Sequence, residues 1–260
     1  MSNQNPLSVE VSGAIAWMTL SRPQKANALN RALIESLLSA WDTVERDPVV
    51  QAAIFTGAGS SFCSGADLEE LVSGGPEGIR ALLDPLRTFL LRVELSRLAV
   101  IAAVHGAARA GGLELILACD AVVATRTASF GDAHLANGLL PAGGSSVRLP
   151  RSIGWHRAKW MILSAASISA ETARDWGLVH EVVDDAHLRT SAQHVAQSMI
   201  HGDPELLKKA KALIASTPDL SVNDALEAEI VALQRHYHSD AFQTGVRRFL
   251  SRKRSAELKE

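Results

Sequence analysis

The sequence predicts an α/β core followed by a helical region, and three observations predict it. Short apolar runs of strand length alternate with helix-period segments up to about Pro150. Beyond Pro150 helical patterning dominates. The composition is that of a globular chain: 260 residues, 47% apolar and 21% charged. A chain of this length buries a sizeable core without disulfides or metal staples.

The elements follow in order. Val9–Val11 and Ile15–Leu20 flank Ser12-Gly13 and read as a β-hairpin. Arg22–Leu29 is a loop that Pro23 keeps out of the strand. From about Asn30 to Arg46, Leu33, Ile34, Leu37, Leu38, Trp41 and Val44 recur at helical spacing, and Asp47-Pro48 ends the helix. Val49–Thr56 reads as a buried strand by its near-continuous apolar run, and a Gly/Ser-rich loop follows from Gly57 to Gly65. A helix is predicted from about Pro76 to Arg97, a strand over Ala99–Val104, a loop over His105–Ala110, a helix from Gly111 to Cys119 and a strand over Ala121–Ala124. Past Pro150 come helices at Trp155–Ser164, Ala170–Trp176 and Asp185–His201, then more to the end. Ser169 is the N-cap of the second and Gly177 its terminating glycine. No internal repeat or low-complexity segment stands out.

Charge and cysteine content narrow the class. A net charge of −2 gives no support to nucleic-acid binding. Two cysteines, Cys63 and Cys119, argue against a disulfide scaffold and fit a reducing, cytoplasmic setting. The polar start, Met1 to Pro6, lacks the basic and apolar regions of a secretory signal. The most apolar stretch, Leu98 to Ala124, is broken by His105, Arg109, Glu114 and Asp120, so no membrane span is expected. Arg247, Arg248, Arg252, Lys253, Arg254 and Lys259 make a basic end, which reads either as a solvated helix face or as a cationic surface for phosphate.

Several motifs fail. Gly57-Ala-Gly59 has Phe62 where a dinucleotide turn needs its third glycine. Gly106 and Gly111 have P-loop spacing, but Gly112-Leu113 stands where Lys-Ser/Thr is required. There is no Gly-x-Ser-x-Gly elbow, no His-Glu-x-x-His and no Cys-x-x-Cys pair, so no metal is expected.

Two segments carry chemistry. In His105–Leu115, Gly111 and Gly112 stand where a loop enters a helix, and the free N–H groups there favour an oxygen becoming negative. Glu114 lies one turn further in, either beside the same ligand or as a carboxylate complementing the helix dipole. In Ser61–Leu68, small residues follow a buried strand. They make either a tight turn or a second backbone N–H donor; two such donors on one oxygen form an oxyanion hole.

With these segments in view, the chain resembles the crotonase family, also called the enoyl-CoA hydratase/isomerase family, over nearly its full length. The matching stretches are Arg22-Pro23 with Asn27-Ala28-Leu29, then Phe62–Leu68, then Gly106 with Gly111–Leu115 and Cys119-Asp120. Phe130-Gly131, Gly138–Pro141 with Arg148–Pro150, and Ser169–Ala173 with Trp176–Val179 continue it.

The resemblance implies a spiral of ββα turns over residues 1–200 holding an acyl-CoA thioester site, with a helical oligomerisation region over 201–260 that builds a homotrimer or homohexamer. It implies an oxyanion hole from the N–H groups of Ala66 and Gly111. It also implies substrate-binding positions at Lys25, Ala26, Ala28, Ala66, Asp67, Leu68 and Gly112. Coenzyme A enters as part of the substrate, and no separate cofactor is implied. In hydratases of the family two glutamates flank the reactive double bond; one matches Glu114, while His134 stands at the other. An acidic position used by some isomerases is Ala142 here. Histidine suits acid/base work near neutral pH, or it is a polar pocket residue only; Asp132, two residues earlier, is a candidate to orient it, although alternation in an extended segment does not establish a contact. The expected activity is enoyl-CoA hydration by Glu114 and His134. Isomerisation, thioester hydrolysis and C–C hydrolysis are the alternatives within the family, and a non-catalytic CoA-binding subunit is the alternative outside catalysis.

Overall fold

The computed structural model describes residues 5–200 and 203–257, with the backbone alone over 252–257. The chain divides at Ile200/His201 into two compact units.

The first unit opens with a hairpin, β1 (Leu7–Ser12) and β2 (Ile15–Leu20), turning at Gly13 with φ of +59°. Helix α1 (Arg31–Arg46) starts where the Asn30 side chain accepts from the Leu33 N–H at 3.0 Å, and it buries Leu33, Ile34, Leu37, Trp41 and Val44 on one face. Then come β3 (Ala52–Gly57), α2 (Leu68–Ser73), α3 (Gly75–Glu94) and β4 (Ala99–Val104). Every residue of β4 is buried, as its unbroken apolar run requires. Trp41, Phe55 and Phe89 lock α1, β3 and α3 together, with ring centroids 5.8–5.9 Å apart in one stacked and two edge-on contacts.

The chain continues through β5 (Ala107–Arg109), α4 (Gly111–Leu117), β6 (Ala121–Thr125), β7 (Ser129–Gly131), α5 (Ser145–Ile153) and α6 (Trp155–Ser164). β8 (Ser167–Ser169), α7 (Ala170–Asp175), β9 (Glu181–Val183) and α8 (Leu188–Met199) complete the unit. Among the described residues the strands form a six-stranded sheet in the order β1-β2-β3-β4-β6-β9, parallel from β2 onward, and a three-stranded sheet β5-β7-β8. From β4 to β7 the chain visits the large sheet, then the small one, then, after α4, the large one and the small one again, which is the spiral of ββα turns.

Five short elements depart from the sequence reading. The stretch expected as a loop before Gly111 contains β5, α2 precedes the expected long helix, β7 follows β6 where no strand was expected, and β8 and β9 interrupt the helical region. Each is only three to six residues long, too short to display a period, and β8 buries Ile168 alone.

In the second unit, α9 (Pro204–Ser216) is capped by Asp203, α10 (Val222–His236) by Ser221, and α11 (Asp240–Glu257) follows. Of the basic end, Lys259 and the side chains of Arg252, Lys253 and Arg254 lie outside the described residues.

Candidate active site

Two backbone donors come together because two loops are tied on either side of them. The Leu29 N–H donates to Gly65 O at 2.7 Å and the Asp67 N–H to Leu29 O at 2.9 Å, which turns the intervening Ala66 N–H the other way. The Cys63 N–H donates to Ala107 O at 3.1 Å and the Arg109 N–H to Cys63 O at 2.9 Å, fixing the same loop to β5. Gly111 begins α4, and Ala110 before it has φ of +45°. Gly65, at φ +103°, has no room for a side chain: a Cβ there would meet Ala110 Cβ at 2.8 Å and Gly111 N at 3.1 Å. Neither the Ala66 nor the Gly111 N–H has an acceptor among the described residues. Backbone held in left-handed conformations on both sides of the gap is local strain concentrated where two donors are aimed.

Glu114 projects from the first turn of α4 and is 2% exposed. Its Oε1 accepts from the Gly143 N–H at 2.8 Å and the Ser145 N–H at 3.1 Å. Gly143 must be glycine, since a Cβ there would land on Glu114 Oε2.

His134 Nδ1 lies 3.0 Å from Oδ2 of the fully buried Asp132, whose Oδ1 also accepts from the His134 N–H at 3.4 Å. Ala133 between them has φ of +57°, which folds the segment back and brings side chains two apart to one side. Burial alone favours a neutral ring at His134, but the hydrogen bond and charge of Asp132, together with the charge of Glu114, outweigh it and raise its pKa above the ordinary histidine value. Burial likewise works to raise Asp132, and the His134 contact, with the Ser145 hydroxyl beside it, overrides that and holds the carboxyl below the usual range. The carboxylate takes Nδ1, leaving Nε2 for a ligand.

These groups share one cavity of about 330 Å³, lined by Ala66, Gly111, Glu114 and His134 at its polar end. Leu71, Ile79, Leu83, Leu86 and Leu139 form an apolar wall. A pocket of about 430 Å³ beside Cys119 and His180 has neither the paired N–H groups nor the acid/base pair. Among the described residues no cluster of three or more His, Cys, Asp or Glu is placed to hold a metal ion.

Of the remaining positions expected at the ligand, Leu68 lines the cavity. Asp67 pairs with Arg22 at 3.0 Å, and Arg22 also donates to Ala28 O. Lys25 pairs with Glu69 at 3.0 Å on the exposed side. Ala26, Ala28 and Gly112 are not among the lining residues; Gly112 is packed onto Cys63, whose Cβ would lie 2.8 Å from an added methyl. Burial pushes the Cys63 thiol up to about 12, so it is an inert packing group. Sequence reasoning placed Asn27 in a matching stretch but gave it no role; it is fully buried. Its Oδ1 accepts from the Arg22 N–H at 2.9 Å and its Nδ2 donates to Ala58 O and Ser61 O at 2.9 and 2.8 Å. Sequence reasoning passed over Gly143 and Ser145, although a Gly-Gly pair opening a helix was a visible signal.

A spiral α/β core that brings two free backbone donors, a buried carboxylate and a carboxylate-paired histidine to one apolar cavity has the parts for acid/base chemistry beside a developing oxyanion. A family model described as enoyl-CoA hydratase/isomerase matches residues 10–259, and the chain belongs to that family. It is 34% identical over 226 residues to a probable peroxisomal enoyl-CoA hydratase of Arabidopsis thaliana, covering 87% of this chain and 84% of that one. It is 31% identical over 256 residues to a short-chain-enoyl-CoA hydratase of Clostridium acetobutylicum, covering 96% of each. The crystal structure of an enoyl-CoA hydratase from Bacillus anthracis superposes with a TM-score of 0.88 at 32% identity, covering 95% of this chain and 96% of that one.

Proposed function

We propose that the protein hydrates 2-enoyl-CoA thioesters. The observation that carries the reading is the convergence of the Ala66 and Gly111 N–H groups, Glu114 and the Asp132–His134 pair on one cavity. The names of the relatives support it. The thioester oxygen accepts from both N–H groups, which polarises the conjugated double bond toward an enolate. Glu114 takes a proton from water as the oxygen of that water bonds to Cβ. The protonated His134, stabilised in that form by Asp132, delivers a proton to Cα as the enolate collapses. Glu114 is left protonated and His134 neutral, and passage of one proton between them resets the site. The sum is addition of one water.

No cofactor is needed beyond the coenzyme A carried by the substrate. The free cysteines suit a cytoplasmic setting. A homotrimer or homohexamer fits the exposed apolar face of α6, where Trp155, Trp160 and Leu163 are 63%, 50% and 63% exposed. Crotonyl-CoA and a panel of longer and branched enoyl-CoAs test the activity. Turnover that Glu114→Gln lowers by about 10²- to 10⁴-fold supports the reading, and turnover unchanged by that substitution overturns it.

A second reading rests on one observation. A histidine paired to a buried carboxylate stands where a second carboxylate would hold the water, which suits thioester or C–C hydrolysis or double-bond isomerisation. Gain of hydratase activity on His134→Glu favours this reading over the first.

A further inference from the structure

A chain of polar contacts runs from the cavity to α3. The Arg148 guanidinium is anchored by Glu94, whose Oε2 accepts from Nη2 at 2.8 Å and from Nε at 3.2 Å. Its third nitrogen, Nη1, donates to Gly143 O at 3.1 Å. That carbonyl belongs to the peptide unit joining Gly143 to Gly144. The units on either side of it carry the Gly143 N–H and the Ser145 N–H, the two donors on Glu114 Oε1. Holding the middle unit of three limits the freedom of two flexible glycines, so that both flanking N–H bonds stay on one carboxylate oxygen.

Two successive glycines make the arrangement possible, each for a different charged side chain. A Cβ on Gly143 would occupy the place of Glu114 Oε2; one on Gly144 would occupy the place of Arg148 Nη1, and Gly144 has φ of +125°. Arg148 is only 16% exposed, so the guanidinium fork works in a setting where a lost partner is not simply replaced by bulk water.

We infer that Arg148, held by Glu94, is a positioning residue for Glu114. It does not line the cavity; it holds the peptide unit between the two N–H groups that orient the carboxylate. The inference rests on the reading of Glu114 as the group that acts on water.

The test is a set of steady-state cycles on enoyl-CoA hydration with Arg148→Gln, Glu94→Gln, Glu114→Gln and their doubles. Arg148→Gln is expected to lower kcat by about 10- to 100-fold, as loss of a partner behind a reacting group does, with KM changed by less than about 3-fold. Glu94→Gln lowers kcat in the same sense, and the Glu94/Arg148 double variant is no slower than Arg148→Gln alone. In the Glu114→Gln background, Arg148→Gln has no further effect. Arg148→Lys, which lacks the fork, recovers only part of the loss. A folded Arg148→Gln with kcat within about 3-fold of the parent overturns the inference, and so does the same fold-loss in the presence and absence of Glu114. If Arg148→Gln does not fold, Glu94, one-third exposed, decides alone: wild-type kcat in Glu94→Gln overturns the inference. A fully active Glu114→Gln instead overturns the reading beneath it.

Discussion

Asp132 and His134 form a pair across a single left-handed residue, with Oδ2 and Nδ1 3.0 Å apart and the carboxylate fully buried. The raised pKa of His134 and the lowered pKa of Asp132 have this one contact in common. It favours the charged, proton-donating form of the His134 ring beside Glu114.

Asp132→Asn is therefore expected to lower the His134 pKa and shift the alkaline limb of the kcat profile to lower pH, because the proton-donating form is lost sooner. Stability follows the same linkage. The folded pKa of His134 is raised, so its contribution is full below the ordinary histidine range and is lost as pH rises through the raised value. That of Asp132 is lowered, so its contribution is present above the ordinary carboxylate range and is lost as pH falls through the lowered value. The stability difference between parent and Asp132→Asn should be largest between those limits and shrink at both ends. Denaturant melts across pH measure it; a difference independent of pH contradicts the pairing.

Gly65→Ala should separate the two backbone donors. The added methyl meets Ala110 Cβ at 2.8 Å and Gly111 N at 3.1 Å, at a φ of +103° that disfavours any side chain. Misplacing one donor should cost about 10²- to 10³-fold in kcat, the effect of losing one such hydrogen bond. Circular dichroism establishes whether the fold is kept, and a folded variant with unchanged kcat would remove the oxyanion role from this gap.

Asn27→Ala should destabilise the first unit by about 2–4 kcal/mol. It strands the Arg22 N–H and the carbonyls of Ala58 and Ser61, and it leaves an alanine at φ of +56°. Urea melts read the loss directly. A change below about 0.5 kcal/mol would mean that the loop reorganises around the gap.

The legible parts of the sequence were the long periodic segments and the unbroken apolar runs. The apolar run Ala99–Val104 became β4 with the same ends, Trp155–Ser164 became α6, and the caps at Ser169 and Gly177 stand where side-chain and backbone chemistry demanded them. The three-residue strands were not legible. Their existence depends on pairing partners distant in the chain, such as Ala107 with Ser129, which no local period announces. The site divides in the same way. Gly111 and Glu114 were readable from a glycine-opened helix, whereas the clamp of Asn27 and the route from Glu94 through Arg148 join residues 31 to 54 positions apart. His134 was found because it interrupts a pattern, and its pairing to Asp132 became definite only once Ala133 was seen to turn the backbone.

The most direct test of the central claim is the mass of the product formed from a 2-enoyl-CoA by the purified protein and by its Glu114→Gln variant. The parent is expected to give a thioester heavier by one water, and the variant to lose that conversion almost completely. Free acid and coenzyme A, a product of unchanged mass, or hydration undiminished in Glu114→Gln would contradict it.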